Sequence, residues 1–234
     1  MIASYLYNFI FIKTKKTAGT TVEVALADIC GPDDIITPLG RHDELVRGNG
    51  KPLCRNYTSD PAVEAALMQA LIAEDERRYV KARQKCEFYA HMKAAAIKQT
   101  VAPEFWDSAY KFTVERHPYE KAVSGAYFKY RAGRHPEFTQ YLDTYVREGN
   151  YGSFEFYSID GKPVVDGFLR QETLVADLKR VGAKLGFPVP DELRRMKTTS
   201  RKDTRPAREI LSEAQRDIVF ERCAQEFELL GFAR

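Results

Sequence analysis

Residues 9–26 read "FIFIKTKKTAGTTVEVAL". An apolar run rich in Phe and Ile ends abruptly at Lys13, Lys15 and Lys16. A lone Gly19 and three threonines follow, and then a segment of helical character. The run suits a buried strand over residues 7–13. The tail suits a helix from about Thr20 to Ile29, closed by Cys30-Gly31-Pro32 with glycine as cap and proline beyond it. Strand, cationic turn and helix in that order open an α/β chain. A solvated lysine-rich turn would account for the stretch. So would a pocket for an anion. Gly19 permits close backbone approach, and the N–H groups of Thr17, Ala18, Gly19, Thr20 and Thr21 lie where a helix start leaves donors without intrahelical partners. The helix dipole favours negative charge there. Lys16 adds a cation, and the Thr20 and Thr21 hydroxyls add donors. A nucleotide triphosphatase would carry GxxxxGK[ST], with lysine after the second glycine. Here Lys16 precedes the glycine, which argues against a Walker-type site and its magnesium.

Bulk composition sets wider bounds. The 234 residues suit one domain with a sizeable core. Apolar residues make up 44% and aromatics 12%, as in a globular protein, and 36 basic against 33 acidic residues leave a formal charge of +3. That balance does not call for a nucleic-acid partner. Cys30, Cys54, Cys86 and Cys223 are far apart and form no CxxC pair, so neither a metal site nor a disulfide framework follows. Reduced thiols point to the cytoplasm. The opening MIASYLYNFIFI lacks a basic n-region and is too short and too polar at Ser4 and Asn8 to span a bilayer.

Further along, residues 31–60 read as irregular. Asp60-Pro61 reads as an N-cap and first helical position, opening a helix over 61–85 with Val63, Leu67 and Leu71 on one side. Its second half, DERRYVKARQK, reads as a solvated face or as a surface for an acidic acceptor. A short strand is expected at 87–90, followed by His91 and a helix over 92–100. A strand over 110–115 leads through Arg116-His117 to Pro118, which opens a helix to about Tyr130. A helix over 138–147, a hairpin around Asp160-Gly161 within 154–168 and helices near 171–185 and 212–230 complete the chain. The alternation predicts a layered α/β domain with a mainly parallel sheet. In "KFTVERHPYEKAVSGAYFKY", residues 111–130, Arg116 leaves a strand end and Ser124 lies about two helical turns on. A guanidinium fork and a hydroxyl so placed can share one phosphate.

Taken together, "KKTAGTT" and "ERHPYEKAVS" resemble the 5′-phosphosulfate loop and the 3′-phosphate motif of sulfotransferases that use 3′-phosphoadenosine 5′-phosphosulfate (PAPS). The resemblance is to the carbohydrate type, with its uronyl 2-O-sulfotransferases and bacterial relatives. "YAHMKAAAIKQTVAPEFWDSAYKF" resembles the segment that holds that group's histidine base. "DGKPVVDGFLRQETLVADLKRVGAKLGF" resembles its later hairpin and helix, and "LRRMKTTSRKDTR" stands where it has a loop over the nucleotide. The match covers residues 7–32 and 86–234 and leaves 33–85 as a variable, acceptor-side insertion. It implies a single-domain, three-layer αβα fold with a P-loop-like phosphate-binding turn. It also implies metal-free sulfuryl transfer from PAPS to a hydroxyl, with PAP (adenosine 3′,5′-bisphosphate) as product, and an acceptor that is a saccharide or glycan. Lys16 and His91 would be catalytic. Lys15, Lys16, residues 17–21, Arg116, Ser124, Lys197, Ser200 and Arg201 would hold the donor. Three positions depart from the family pattern: Lys15 in place of proline, Glu115 in place of an apolar residue, and Lys197 in place of asparagine. His91 as a helix cap or a half-buried packing residue, a nucleotide-dependent kinase or other phosphotransferase, and a non-catalytic nucleotide- or polyanion-binding module are the competing readings.

Overall fold

The computed structural model describes residues 1–50, 53–194, 196 and 201–234. The chain opens on β1 (Ile2–Ser4), turns at Tyr5–Asn8 and returns as β2 (Phe9–Ile12). Then come α1 (Gly19–Ala27), β3 (Ile35–Ile36) and α2 (Arg41–Arg47). A helical pair, α3 (Pro61–Ile72) and α4 (Glu76–Arg83), leads to α5 (Ala94–Thr100) and α6 (Pro103–Ser108). The second half comprises β4 (Tyr110–Glu115), α7 (Pro118–Lys129), α8 (Phe138–Glu148), α9 (Phe154–Tyr157), β5 (Ser158–Ile159), β6 (Lys162–Pro163) and β7 (Gly167–Arg170). A single 3-10 turn then enters α10 (Leu174–Leu185), and α11 (Ala207–Ile210), α12 (Glu213–Arg222) and α13 (Ala224–Leu230) close the chain.

Five strands form the central sheet in the order β3-β1-β2-β4-β7. β2, β4 and β7 are mutually parallel, and β1 alone runs against its neighbours β2 and β3. The fold is therefore mixed α/β with a mostly parallel sheet, as the alternation predicts. Every residue of β2 is buried because both faces of the sheet are covered. Ile10 and Ile12 point into a core with Leu67, Tyr79, Ile97 and Trp106 from α3 to α6. Phe9 and Phe11 point the other way, into a core with Val22 and Leu26 of α1 and Leu178 of α10. That period of two is the strand's own. A third core gathers Tyr119, Val123, Tyr145, Val219 and Phe227 from α7, α8, α12 and α13.

Several sequence expectations need correction. The helix expected over 61–85 is two helices. Glu74 takes φ 55° and the Asp75 carboxylate caps the Arg78 N–H at 3.0 Å, which starts a second helix that folds back on the first. Residues 87–90 are bends and turns rather than a strand, and the next helix begins at Ala94 rather than Met92. The hairpin turns at Asp160-Gly161, but its strands are two residues long, and Gly167–Arg170 belongs to the central sheet. The terminal helix breaks at Cys223. Segment 31–60 carries β3 and α2.

Candidate functional site

Going along the chain from β2, successive connections first reach β3 on one side and then cross to β4 on the other. The order of strands thus reverses between β2 and β4, and crevices at the carboxyl ends of such strands are the usual ligand sites of parallel sheets. Both motifs singled out in the sequence leave the sheet there: the turn 13–18 after β2, and Arg116-His117 after β4.

The turn is pinned to the neighbouring strand by hydroxyls. Thr14 Oγ1 donates to the Val114 carbonyl and lies 2.8 Å from Thr17 Oγ1. The Thr17 hydroxyl is buried in that pairing. Lys16 has φ 61° and Ala18 φ 69°, with negative φ at Thr17 between them and helical backbone at Gly19. Left-handed backbone is uncommon for non-glycine residues. Alternation of hand turns successive N–H groups toward one side, an arrangement suited to an anion.

The three lysines separate. Lys13 is buried and pairs with the equally buried Glu23. Lys13 and the Met1 α-ammonium, which also bonds Glu23, hold that carboxyl below its usual range against the upward push of burial. Lys15 places Nζ 5.0 Å from the Phe156 ring centroid, and Lys16 places Nζ 4.0 Å from that of Phe128. Burial lowers the Lys15 pKa, Glu155 opposes, and Lys129 and Lys93 add to the lowering. Gly19 has a packing reason of its own: a Cβ there would meet Lys13 Cγ at 2.9 Å. The expectation that all N–H groups of 17–21 lack partners is corrected at Thr21, whose N–H bonds the Ala18 carbonyl at 2.9 Å. The Thr21 hydroxyl accepts the Met196 N–H at 3.3 Å, and Thr20 is buried in the first turn of α1.

His91 sits against this turn, with Nδ1 3.3 Å from the Lys13 carbonyl. A carbonyl only accepts, so Nδ1 carries the hydrogen and Nε2 the lone pair. His91 does not cap a helix, because the N-cap of α5 is Lys93. Its pKa is lowered to about 3, first by burial and then by the Lys13 ammonium. Burial and the Lys13 ammonium thus favour the neutral form of His91.

At the second corner, Arg116 donates from Nη2 to Glu120 Oε2 at 2.8 Å. Its Nε is buried and has no hydrogen-bond partner among the described residues. Burial lowers its pKa. Arg201 reaches the same Glu120, so the structure brings together two arginines that the sequence placed 85 positions apart (201 against 116). Ser124 is half-buried on α7, about two turns in, and no hydrogen bond joins it to Arg116 among the described residues. Lys197 and Ser200 lie outside the described residues. Glu115, the odd acid beside Arg116, is fully buried and pairs at 2.9 Å with the equally buried Lys121, which also lies 3.5 Å from Glu226 and donates to Ser153 at 3.0 Å. Burial raises the Glu115 pKa.

Of the basic residues in segment 33–85, Arg78, Lys81 and Lys85 line a groove of about 410 Å³ between α3 and α4, and Arg83 bonds the Leu39 carbonyl. Among the described residues no group of His, Cys, Asp or Glu is placed to hold a metal, and no helix is long and apolar enough to cross a membrane. Sequence reasoning missed Thr14, Glu120 and Lys121. Only Glu120 left a signal, an acid four residues after Arg116.

No protein-family model, curated protein or solved structure matches this chain. The functional reading therefore rests on its own residues.

Proposed function

We propose that this protein is a sulfotransferase that moves a sulfuryl group from PAPS to an acceptor hydroxyl, with a saccharide as the acceptor class. One observation carries the reading. Two anion-suited turns, 13–18 and 116–117, leave the carboxyl ends of adjacent parallel strands, with Ile12 paired to Thr113. A ligand with negative charge at both ends fits such a pair of corners. The unpartnered, buried Nε of Arg116 supports an anion at the second corner, and the alternating backbone from Lys16 to Gly19 supports one at the first, as a P-loop-like turn.

When bound, the donor supplies a sulfuryl group on a phosphate leaving group. The N–H groups of residues 17–20 hold its 5′ end. The Lys16 ammonium, leaving the Phe128 ring, neutralises charge that grows on the leaving oxygen. Arg116, with Ser124, holds the 3′-phosphate. His91 Nε2, held by its Nδ1–H, takes the proton from the acceptor hydroxyl. Lys15, Lys93 and Lys129 place positive charge beside the turn, which suits an acidic glycan. A cytoplasmic setting, based on four free thiols, belongs to the same reading.

The test is transfer of labelled sulfate from PAPS to a panel of glycans and small alcohols in EDTA. Labelled product supports the proposal. Magnesium-dependent ATP turnover with no sulfate transfer would instead make the protein a phosphotransferase. Binding of PAP with neither activity would make it a binding module.

A further inference from the structure

Glu120 stands in the first turn of α7, four residues after Arg116. Its Oε2 accepts from Arg116 Nη2 at 2.8 Å and from Arg201 Nη1 at 2.5 Å, and its Oε1 accepts the Ala207 N–H at 2.7 Å. One carboxylate thus ties together the end of β4, the segment carrying Arg201 and the first residue of α11. The remaining nitrogens of Arg201 are spent locally: Nε on the Asp203 carbonyl at 2.7 Å and Nη2 on the Arg205 carbonyl. Its guanidinium is therefore fixed in position and orientation. Arg116 still has its buried Nε without a partner. Two cations on one carboxylate oxygen repel each other; the Asp203 and Arg205 carbonyls hold Arg201, and the Glu120 carboxylate joins it to Arg116.

We infer that Glu120 is a positioning residue that joins Arg116 and Arg201 into one two-guanidinium clamp, and that this clamp selects a ligand with a second phosphate over a ligand with one. The inference rests on the donor reading above and adds what sets the preference at the second corner. Glu120 touches no reacting atom. Its carboxylate holds both forks in place before the ligand arrives, so that little ordering remains to be done on binding.

The probes are adenosine 3′,5′-bisphosphate and AMP, titrated in EDTA against the wild-type protein and E120Q. Glutamine keeps an oxygen for the Ala207 N–H and points a donor at the guanidinium donors, so the charge is tested while the backbone anchor stays. The expected result is a loss of about 10- to 100-fold in bisphosphate affinity in E120Q, from charged hydrogen bonds no longer preorganised, with AMP affinity unchanged. E120D should restore part of the preference. A melt without ligand reports folding, and if E120Q does not fold, R201Q should show the same selective loss. Retention of the wild-type preference in E120Q, or equal loss for both probes, overturns the inference and leaves the donor reading standing. A wild-type protein with no preference for the bisphosphate overturns both.

Discussion

The Lys13 carbonyl and Nδ1 of His91 lie 3.3 Å apart, joining the turn after β2 to the segment ahead of α5. That contact orients the imidazole, and the Lys13 ammonium on the same residue disfavours its protonation. Phe156 lies edge-on to the ring at 6.4 Å. The result is a neutral, oriented and weakly basic imidazole.

A pH dependence of stability follows. The unfolded chain takes a proton on His91 near pH 6.5, whereas the folded chain takes it near 3. Between those values the unfolded state binds more protons, so stability should fall as pH drops from about 6.5 towards 3, by at most roughly 1.4 kcal/mol per pH unit. His91→Asn should flatten that slope, since asparagine tolerates the φ of 62° found at His91. Denaturation midpoints across the range check it, and an unchanged slope in the variant counts against a half-buried neutral ring. Turnover should fall by about 10²- to 10⁴-fold in the same variant if Nε2 is the base. The acidic limb of the wild-type rate should lie near pH 3, not 6.5.

Thr14 links the anion turn to β4 through its hydroxyl. Thr14→Val leaves the buried Val114 carbonyl and Thr17 hydroxyl without that partner. Loss of about 1–3 kcal/mol of stability is expected, with weaker binding of a 5′-phosphate. Thr14→Ser should recover both. Urea denaturation of the three proteins decides it, and a valine variant as stable as wild type would show that the turn holds without the link.

Gly19→Ala puts a methyl group 2.9 Å from Lys13 Cγ. Lys13 cannot easily move, because its ammonium is paired inside the core with Glu23. Overpacking of this kind costs about 1–3 kcal/mol, to be read as a lower midpoint in chemical denaturation. An unaffected midpoint would mean that the Lys13 chain has room to shift.

Lys16→Ala and Arg116→Ala should separate chemistry from binding. The first should weaken both, because the same ammonium meets charge in the ground state and in the transition state. The second should mainly weaken bisphosphate binding, by about 1.5–3 kcal/mol for a lost charged hydrogen bond. Calorimetric titration in EDTA beside initial rates measures each. Full bisphosphate affinity in Arg116→Ala would remove Arg116 from the second corner.

Much of this architecture is legible in the chain because its causes are local. The apolar run before Lys13, the Pro118 that opens α7, the Asp60-Pro61 start of α3 and the Asp160-Gly161 turn each act within a few residues. From them alone come the α/β alternation and the two turns that leave β2 and β4. The tertiary structure decided the rest. β1 and β3 are too short to show a period, and only pairing, of β1 with β2 and of β3 with β1, makes them strands. The break at Glu74-Asp75 forms because folding back buries Tyr79 and Ala82 in the core already holding Leu67. Three lysines within four positions look equivalent in sequence; the burial of Glu23 draws Lys13 inward and leaves Lys15 and Lys16 at the turn. Arg116 and Arg201 come together only because the packing of α7 against α11 places Glu120 within reach of both, 81 residues before Arg201. Local propensity acts over a turn or two of chain, whereas a buried charge takes its partner from whatever segment the packing brings alongside it.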